Sequence, residues 1–349
     1  MGVPDFAGLP DLASRLLGGS VVAASDELFA PKENLILPDP PAFAAGEFGV
    51  RGKIYDGWET RRRRGAGHDH AVVRLGCPGV VHGVVVDTAF FRGNYPPEIS
   101  VEATRADGYP SPQELEHLPW VTLVARSPAS GDASNSYPVS DGRRWTHVRL
   151  SIYPDGGVAR LRVHGEVVPD PAFLTETIDL AALENGGAIT GCSDAFYSCP
   201  GHLIMPGIAR VMSDGWENAR RRGAGNDYVV TRLAGQGRVR HVEIDTTCFV
   251  GNAPGWAALS GADAPGPLAG GAEPHRGPAP PAVVLLPRTR VQPDTRHRFA
   301  TGGAAEVSHV RLDVFPDGGL SRLRVFGELT PAGLAAARRR WDETATAGG

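Results

Sequence analysis

This 349-residue chain is one unit written twice. Asp56-Gly-Trp-Glu59 recurs as Asp214-Gly-Trp-Glu217, Gly65-Ala-Gly-His-Asp69 as Gly223-Ala-Gly-Asn-Asp227, and Gly93-Asn94 as Gly251-Asn252, all displaced by the same 158 residues (214 − 56). Further on, His147-Val-Arg-Leu-Ser-Ile-Tyr-Pro-Asp-Gly-Gly157 returns as His309-Val-Arg-Leu-Asp-Val-Phe-Pro-Asp-Gly-Gly319, displaced by 162 (309 − 147). Upstream, Ser25-Asp26 returns as Ser193-Asp194 after 168 residues (193 − 25), so the first copy carries extra residues before its Asp-Gly-Trp-Glu turn. A repeat of roughly 150 residues is too long for a solenoid unit and has the size of an independent domain. The chain therefore reads as a duplicated domain whose loops have changed length around a shared core.

Within each copy the apolar residues alternate. Val148, Leu150 and Ile152, like Val310, Leu312 and Val314, are separated by charged or hydroxyl neighbours, the period of a half-buried strand. Pro154-Asp-Gly-Gly157 and Pro316-Asp-Gly-Gly319 supply a fixed φ followed by residues that tolerate φ > 0, which is the chemistry of a tight turn. The 45 glycines and 30 prolines cluster between short runs of Val, Ile, Leu and Phe, so an all-β chain is expected. Thr175 to Leu183 and Pro331 to Trp341 read as helices. The stretch from Ala253 to Pro281 has too little apolar content for strands and reads as a loop. The divisions that follow are an N-terminal segment 1–18, a first repeat 19–172, a helical linker 173–186, a second repeat 187–330, and a C-terminal helix and tail 331–349.

Charge excludes one class of partner. The net charge is −4, and the basic residues gather in short runs such as Arg61 to Arg64 and Arg220 to Arg222, without the broad positive face and interleaved aromatics that nucleic acid demands. Met1 to Leu17 has neither a basic cluster nor an apolar run of secretory type, and no stretch reaches the roughly 18 apolar residues of a membrane helix. A cytosolic protein is expected. Cys77, Cys192, Cys199 and Cys248 show no metal-ligand spacing and no disulfide framework.

At Asp56-Gly-Trp-Glu-Thr-Arg-Arg62 and its echo Asp214-Gly-Trp-Glu-Asn-Ala-Arg220, the sequence resembles the allantoicase family. The resemblance extends from Ser25 to Glu328 and includes Ser25-Asp-Glu-Leu-Phe29, Asp87-Thr-Ala-Phe-Phe-Arg-Gly-Asn94, Asp245-Thr-Thr-Cys-Phe-Val-Gly-Asn252 and Pro287-Arg-Thr-Arg-Val-Gln-Pro-Asp-Thr-Arg-His297. It implies two tandem jelly-roll β-sandwich domains of galactose-binding-like type and hydrolysis of allantoate to ureidoglycolate and urea in purine degradation. It also implies a homo-oligomer and stimulation by a divalent metal, although no cofactor is required by anything in the sequence. Two departures bear on the copies. The second reads Glu217-Asn218-Ala219 where the first reads Glu59-Thr60-Arg61, and the first has Ala125-Arg-Ser-Pro128 where the second has the longer Arg288 to His297 motif. A composite site, or one dominant site, is expected.

Allantoate is a small carboxylate bearing two ureido groups on one carbon. Arginine matches its carboxylate with a planar fork that stays charged, and a carboxyl group can deliver a proton to the departing nitrogen. Glu59 is the first choice for acid/base work, followed by Asp56 and Asp87, with Arg61 or Arg62 as the carboxylate clamp and Asn94 as a further substrate contact. Asp214, Glu217, Arg220 and Asp245 form the parallel set, and Arg288, Arg296 and His297 are candidates for a pocket rim. Trp58 and Trp216 read as core anchors. His68 and His202 are replaced by Asn226 and Asn34 in the other copy, so a duplicated metal centre is not expected. His147 and His309 each begin an alternating strand and read as structural. The rival readings are a noncatalytic ligand-binding module of galactose-binding-like type and a hydrolase of another ureide such as ureidoglycolate.

Overall fold

The structure, a computed structural model, describes residues 4–43, 46, 48–49, 52–53, 55–263 and 283–346. It divides into two compact units, residues 1–168 with 342–349 and residues 169–341.

Each unit is organised by one 19-residue strand that serves both layers of a sandwich. In the first unit this strand is Asp69–Asp87. Its opening half pairs antiparallel with Ser20–Ala24 and Arg144–Tyr153, and its closing half with Arg160–Val167 and Ser134–Pro138. The register breaks between Arg74 and Gly79, where the strand passes from one layer to the other. Glu98–Thr104 and Val121–Pro128 extend the first layer outward from Arg144–Tyr153. In the second unit Asp227–Asp245 plays the same part. It lies between Ala188–Cys192 and Glu306–Phe315 in its first half and between Arg322–Leu329 and Arg296–Ala300 in its second. Trp256–Ala262 and Val283–Arg290 complete that layer. These are two jelly-roll sandwiches. Alternation drives them: Val84, Val86, Ile99, Val101, Val148, Leu150, Ile152 and Leu161 are fully buried between the layers, as are Val242, Ile244, Ala257, Leu312, Val314 and Leu323. Each buried aliphatic side chain contributes about 1.5–3 kcal/mol.

Three expectations change. Thr175 to Leu183 is not a helix: Ile178–Asp179 pairs with the edge strand Arg322–Leu329, and only the short 3-10 turn Leu183–Asn185 follows. This segment repeats the chain's own beginning. Leu12 N donates to Val163 O and Leu180 N to Val325 O at 2.7 Å each, while Asp11 and Asp179 each accept a hydrogen bond from those same strands. Residues around 10–18 and 178–186 are thus matching lead-ins to the two sandwiches. Second, Trp256–Ala262 is a strand although it falls in the stretch read as a loop; residues 264–282 of that stretch lie outside the described residues. Third, the second copy has no longer motif at Arg288 to His297. The strand pairs Val121–Pro128 with Ser134–Pro138 and Val283–Arg290 with Arg296–Ala300 match at a constant displacement of 162 (296 − 134). The expected C-terminal helix forms and runs Pro331–Thr346.

Candidate active site

In each unit the Pro-Asp-Gly-Gly turn is a rail on which the Asp-Gly-Trp-Glu segment is laid. Glu59 pairs with Gly157, Thr60 N donates to Gly156 O at 3.1 Å, Arg63 N to Asp155 Oδ2 at 2.7 Å, and Asp69 N to Pro154 O at 3.1 Å. In the second unit Trp216 bridges to Leu320, Gly318 N donates to Asn218 Oδ1 at 2.8 Å, Arg221 N to Asp317 Oδ2 at 2.7 Å, and Asp227 N to Pro316 O at 3.1 Å. Approach is close enough to require glycine: a Cβ on Gly57 would lie 2.6 Å from Val158 O, and one on Gly215 would lie 2.5 Å from Leu320 O. Trp58 and Trp216 are fully buried, with indole N–H groups donating to Asp26 O at 2.7 Å and Asp194 O at 2.8 Å.

Glu59 follows its buried tryptophan and is half-buried. Asn94 Nδ2 donates to its Oε1 at 2.6 Å, and its second oxygen has no hydrogen-bond partner among the described residues. Burial pushes the carboxyl above the usual glutamate range, only partly opposed by Asn94. Glu217 repeats the pairing with Asn252 Nδ2 at 2.6 Å, and its backbone N–H donates to Ser198 Oγ.

The other acids are engaged in the frame. Asp56 accepts from the buried Arg160 at 2.8 Å and from Ala42 N. Burial pushes it up, but Arg160 and the Ala42 N–H more than offset this and leave it below its ordinary value. Asp214 is likewise pushed up by burial and brought below its ordinary value by Arg210, 3.0 Å away. Asp87 and Asp245 accept from the backbone two residues on, at Ala89 N and Thr247 N, holding the turns that leave the long strands.

The arginines separate. Arg61 pairs with Asp26 at 2.7 Å from an exposed position, and the second copy, with Ala219 there, leaves Asp194 bonded to backbone N–H groups. Arg62 is exposed and carries no hydrogen bond or ion pair among the described residues; Arg220 is exposed too. Arg63, which the sequence reading passed over, pairs with buried Asp69, which also accepts from Ser25 Oγ at 2.9 Å. Arg221, Asp227 and Ser193 form the same chain. The signal was present in the sequence: Arg63, Asp69 and Asp155 are kept in both copies, whereas Arg61 is not.

The rim candidates take distinct places. Arg288 lies over the Phe315 ring at 4.3 Å, and Arg126 of the first unit lies over Tyr153 at the same distance. Arg296 approaches Glu243 at 3.7 Å, which Arg298 also meets at 2.8 Å. His297 Nε2 accepts from Gln292 N at 2.8 Å and its Nδ1 donates to Ile244 O at 3.0 Å. Asn135 occupies the matching position and makes the matching bonds, accepting from Ser130 N at 2.8 Å and donating to Val86 O at 3.1 Å.

An open cleft of about 770 Å³ lies in the first unit, lined among others by Arg63, His68, His70, Arg126, Arg149 and Tyr153. Neither Glu59 nor Arg62 lines it. A smaller cleft of about 230 Å³ in the second unit is bordered by Ser193, Asp194, Arg220, Arg221 and Asp227. Among the described residues no three His, Cys, Asp or Glu side chains converge as metal ligands.

Fold and site together define a duplicated jelly-roll protein that carries a matched acid–amide pair and a matched arginine–aspartate pair in each half. An allantoicase-repeat family model matches residues 10–168 and 178–330. A probable allantoicase of Nocardia farcinica is 56% identical over 328 residues, covering 93% of this chain and 95% of that protein. One of Streptomyces coelicolor is 49% identical over 352 residues, covering 97% and 90%. The crystal structure of allantoicase from Saccharomyces cerevisiae superposes with a TM-score of 0.75 at 33% identity, covering 91% of this chain and 92% of that one. The chain belongs to the allantoicase family.

Proposed function

We propose that this chain hydrolyses allantoate to ureidoglycolate and urea, with Glu59 as the acid/base group. The observation that carries the reading is the half-buried Glu59 carboxyl, held through one oxygen by Asn94 and open at the other, beside a run of arginines. Burial that raises the carboxyl favours its protonated form, the form a proton donor needs. Glu59 passes that proton to the departing ureido nitrogen, the C–N bond breaks with its electron pair going to nitrogen, and urea leaves. Water adds at the central carbon and returns a proton to the carboxylate. An arginine of the run that follows Glu59 holds the substrate carboxylate, and Asp56 and Asp87 fix the turns around it. Glu217, with Asn252, Asp214 and Arg220, is the corresponding group of the second unit.

Urea release from allantoate by the purified protein tests the activity, and Glu59→Gln tests the assignment. Absence of release removes the activity; release from ureidoglycolate instead selects another ureide hydrolase; binding without turnover selects a noncatalytic module. We further propose a cytosolic homo-oligomer without nucleic-acid or membrane partners. The four free cysteines fit a reducing compartment, and among the described residues no helix is long and apolar enough to cross a membrane.

A further inference from the structure

The clefts of the two units are lined by different residues, with one exception. Carried across by the repeat, the residues bordering the second cleft correspond to Ser25, Asp26, Arg61 to Gly65 without a gap, and Asp69; of these only Arg63, the counterpart of Arg221, also lines the first cleft. The same arginine therefore reaches open space in both units although the other residues lining the clefts do not correspond.

That guanidinium is held from behind and left open in front. Arg63 Nη2 meets Asp69, which is 2% exposed and braced by Ser25 Oγ, and the backbone N–H of Arg63 is tied to Asp155. Of its three side-chain nitrogens only Nη2 has an acceptor among the described residues. The free Nη1 lies under Gly67, whose φ of +113° excludes ordinary side chains and where a Cβ would come within 3.4 Å of it. Gly225, at φ +100°, stands over Arg221 Nη1 in the same way. The acidic groups facing Arg63, Asp69 and Asp155, are both committed to it. An arginine immobilised by a buried carboxylate loses little freedom on meeting a second one.

We propose that Arg63, and not the more exposed Arg61 or Arg62, binds the substrate carboxylate, seating it in the cleft of the first unit, with Asp69, Ser25 and Asp155 as positioning residues. This rests on the allantoate reading. Arg63 and Glu59 sit on Asp155 and Gly157 of one turn, two residues and no more than roughly 7 Å of backbone apart. One carbon of allantoate carries both the carboxylate and the nitrogen to be expelled, so a molecule gripped by Arg63 has to extend beyond the cleft, which Glu59 does not line, to meet its proton donor.

The test uses N-carbamoylglycine, a carboxylate with one ureido group, and its amide, with binding measured by calorimetry on the full chain. The wild type should prefer the acid by roughly tenfold or more. In the pair R63Q with D69N, which leaves no lone buried charge, that preference should vanish, and the KM for allantoate should rise far more than kcat falls. Where the pair fails to fold, Arg63→Lys serves: its single ammonium is taken by Asp69, so the preference should again be lost. Retention of the preference in these variants, or its loss in Arg62→Gln or in R221Q with D227N instead, overturns the assignment. So does a wild type that binds both probes alike. A wild type that prefers the acid yet releases no urea from allantoate removes the activity reading and leaves the carboxylate site standing.

Discussion

At Trp58 and Trp216, Glu59 and Glu217, Asn94 and Asn252, and Asp69 and Asp227, the two units repeat the same bonds to the same partners. At positions 61 and 219, 68 and 226, 70 and 228, and 153 and 315 they part, exchanging Arg for Ala, His for Asn, His for Tyr and Tyr for Phe. The shared set is buried or hydrogen-bonded into the turn; the divergent set borders open space. Frame and lining thus vary independently, and the comparison suggests that one frame can carry one working site and one altered site. Substitutions made in matched pairs probe this directly.

The largest effect belongs to the acids. Glu59→Gln should lower kcat for urea release by about 10²–10⁴, and Glu217→Gln by much less. Equal losses at both would mean two equivalent sites. Next, Trp58→Ala and Trp216→Ala should each destabilise their unit by about 3–5 kcal/mol in denaturant unfolding, because the frame is common to both. A clear inequality between them would show that the frames differ in strength.

A pH effect comes third. Burial, with Arg74 nearby, holds the His147 imidazole down at about 4 in the folded chain against an ordinary 6.5. A depressed value stabilises the fold above the unfolded pKa, and that contribution fades as the pH falls from about 6.5 to about 4, by at most about 3 kcal/mol. His147→Gln should therefore flatten the stability curve over that window, and an unchanged slope would remove His147 as its source. The smallest effect is expected where exposed Arg61 meets Asp26: Arg61→Ala, which copies Ala219 of the second unit, should cost under about 1 kcal/mol in thermal unfolding.

The doubling of the fold was legible because a displacement shared by several motifs cannot arise from local preference. The alternation of Val148, Leu150 and Ile152 placed its strands. Thr175 to Leu183 misled because nothing local marks Ile178–Asp179 as a strand: its partners, Phe326 and Gly327, lie far along the chain. Trp256–Ala262 was hidden by small residues set against close neighbours: Ala257 is fully buried, and a Cβ on Gly261 would lie 2.8 Å from Val307 Cγ1. At the site, Glu59 stood out through its buried neighbour Trp58. Arg63 did not, because a run of four arginines looks uniformly solvated until Asp69 and Asp155 pick one of them out.

Asn135 and His297 have a consequence of their own, echoed by Asn34 and His202, which donate to the equivalent carbonyls of Gly57 and Gly215. A carboxamide and a neutral imidazole each present one donor and one acceptor, so either can tie its turn to the neighbouring long strand. The clasp on each turn thus survives the exchange of one side chain for the other between the two halves.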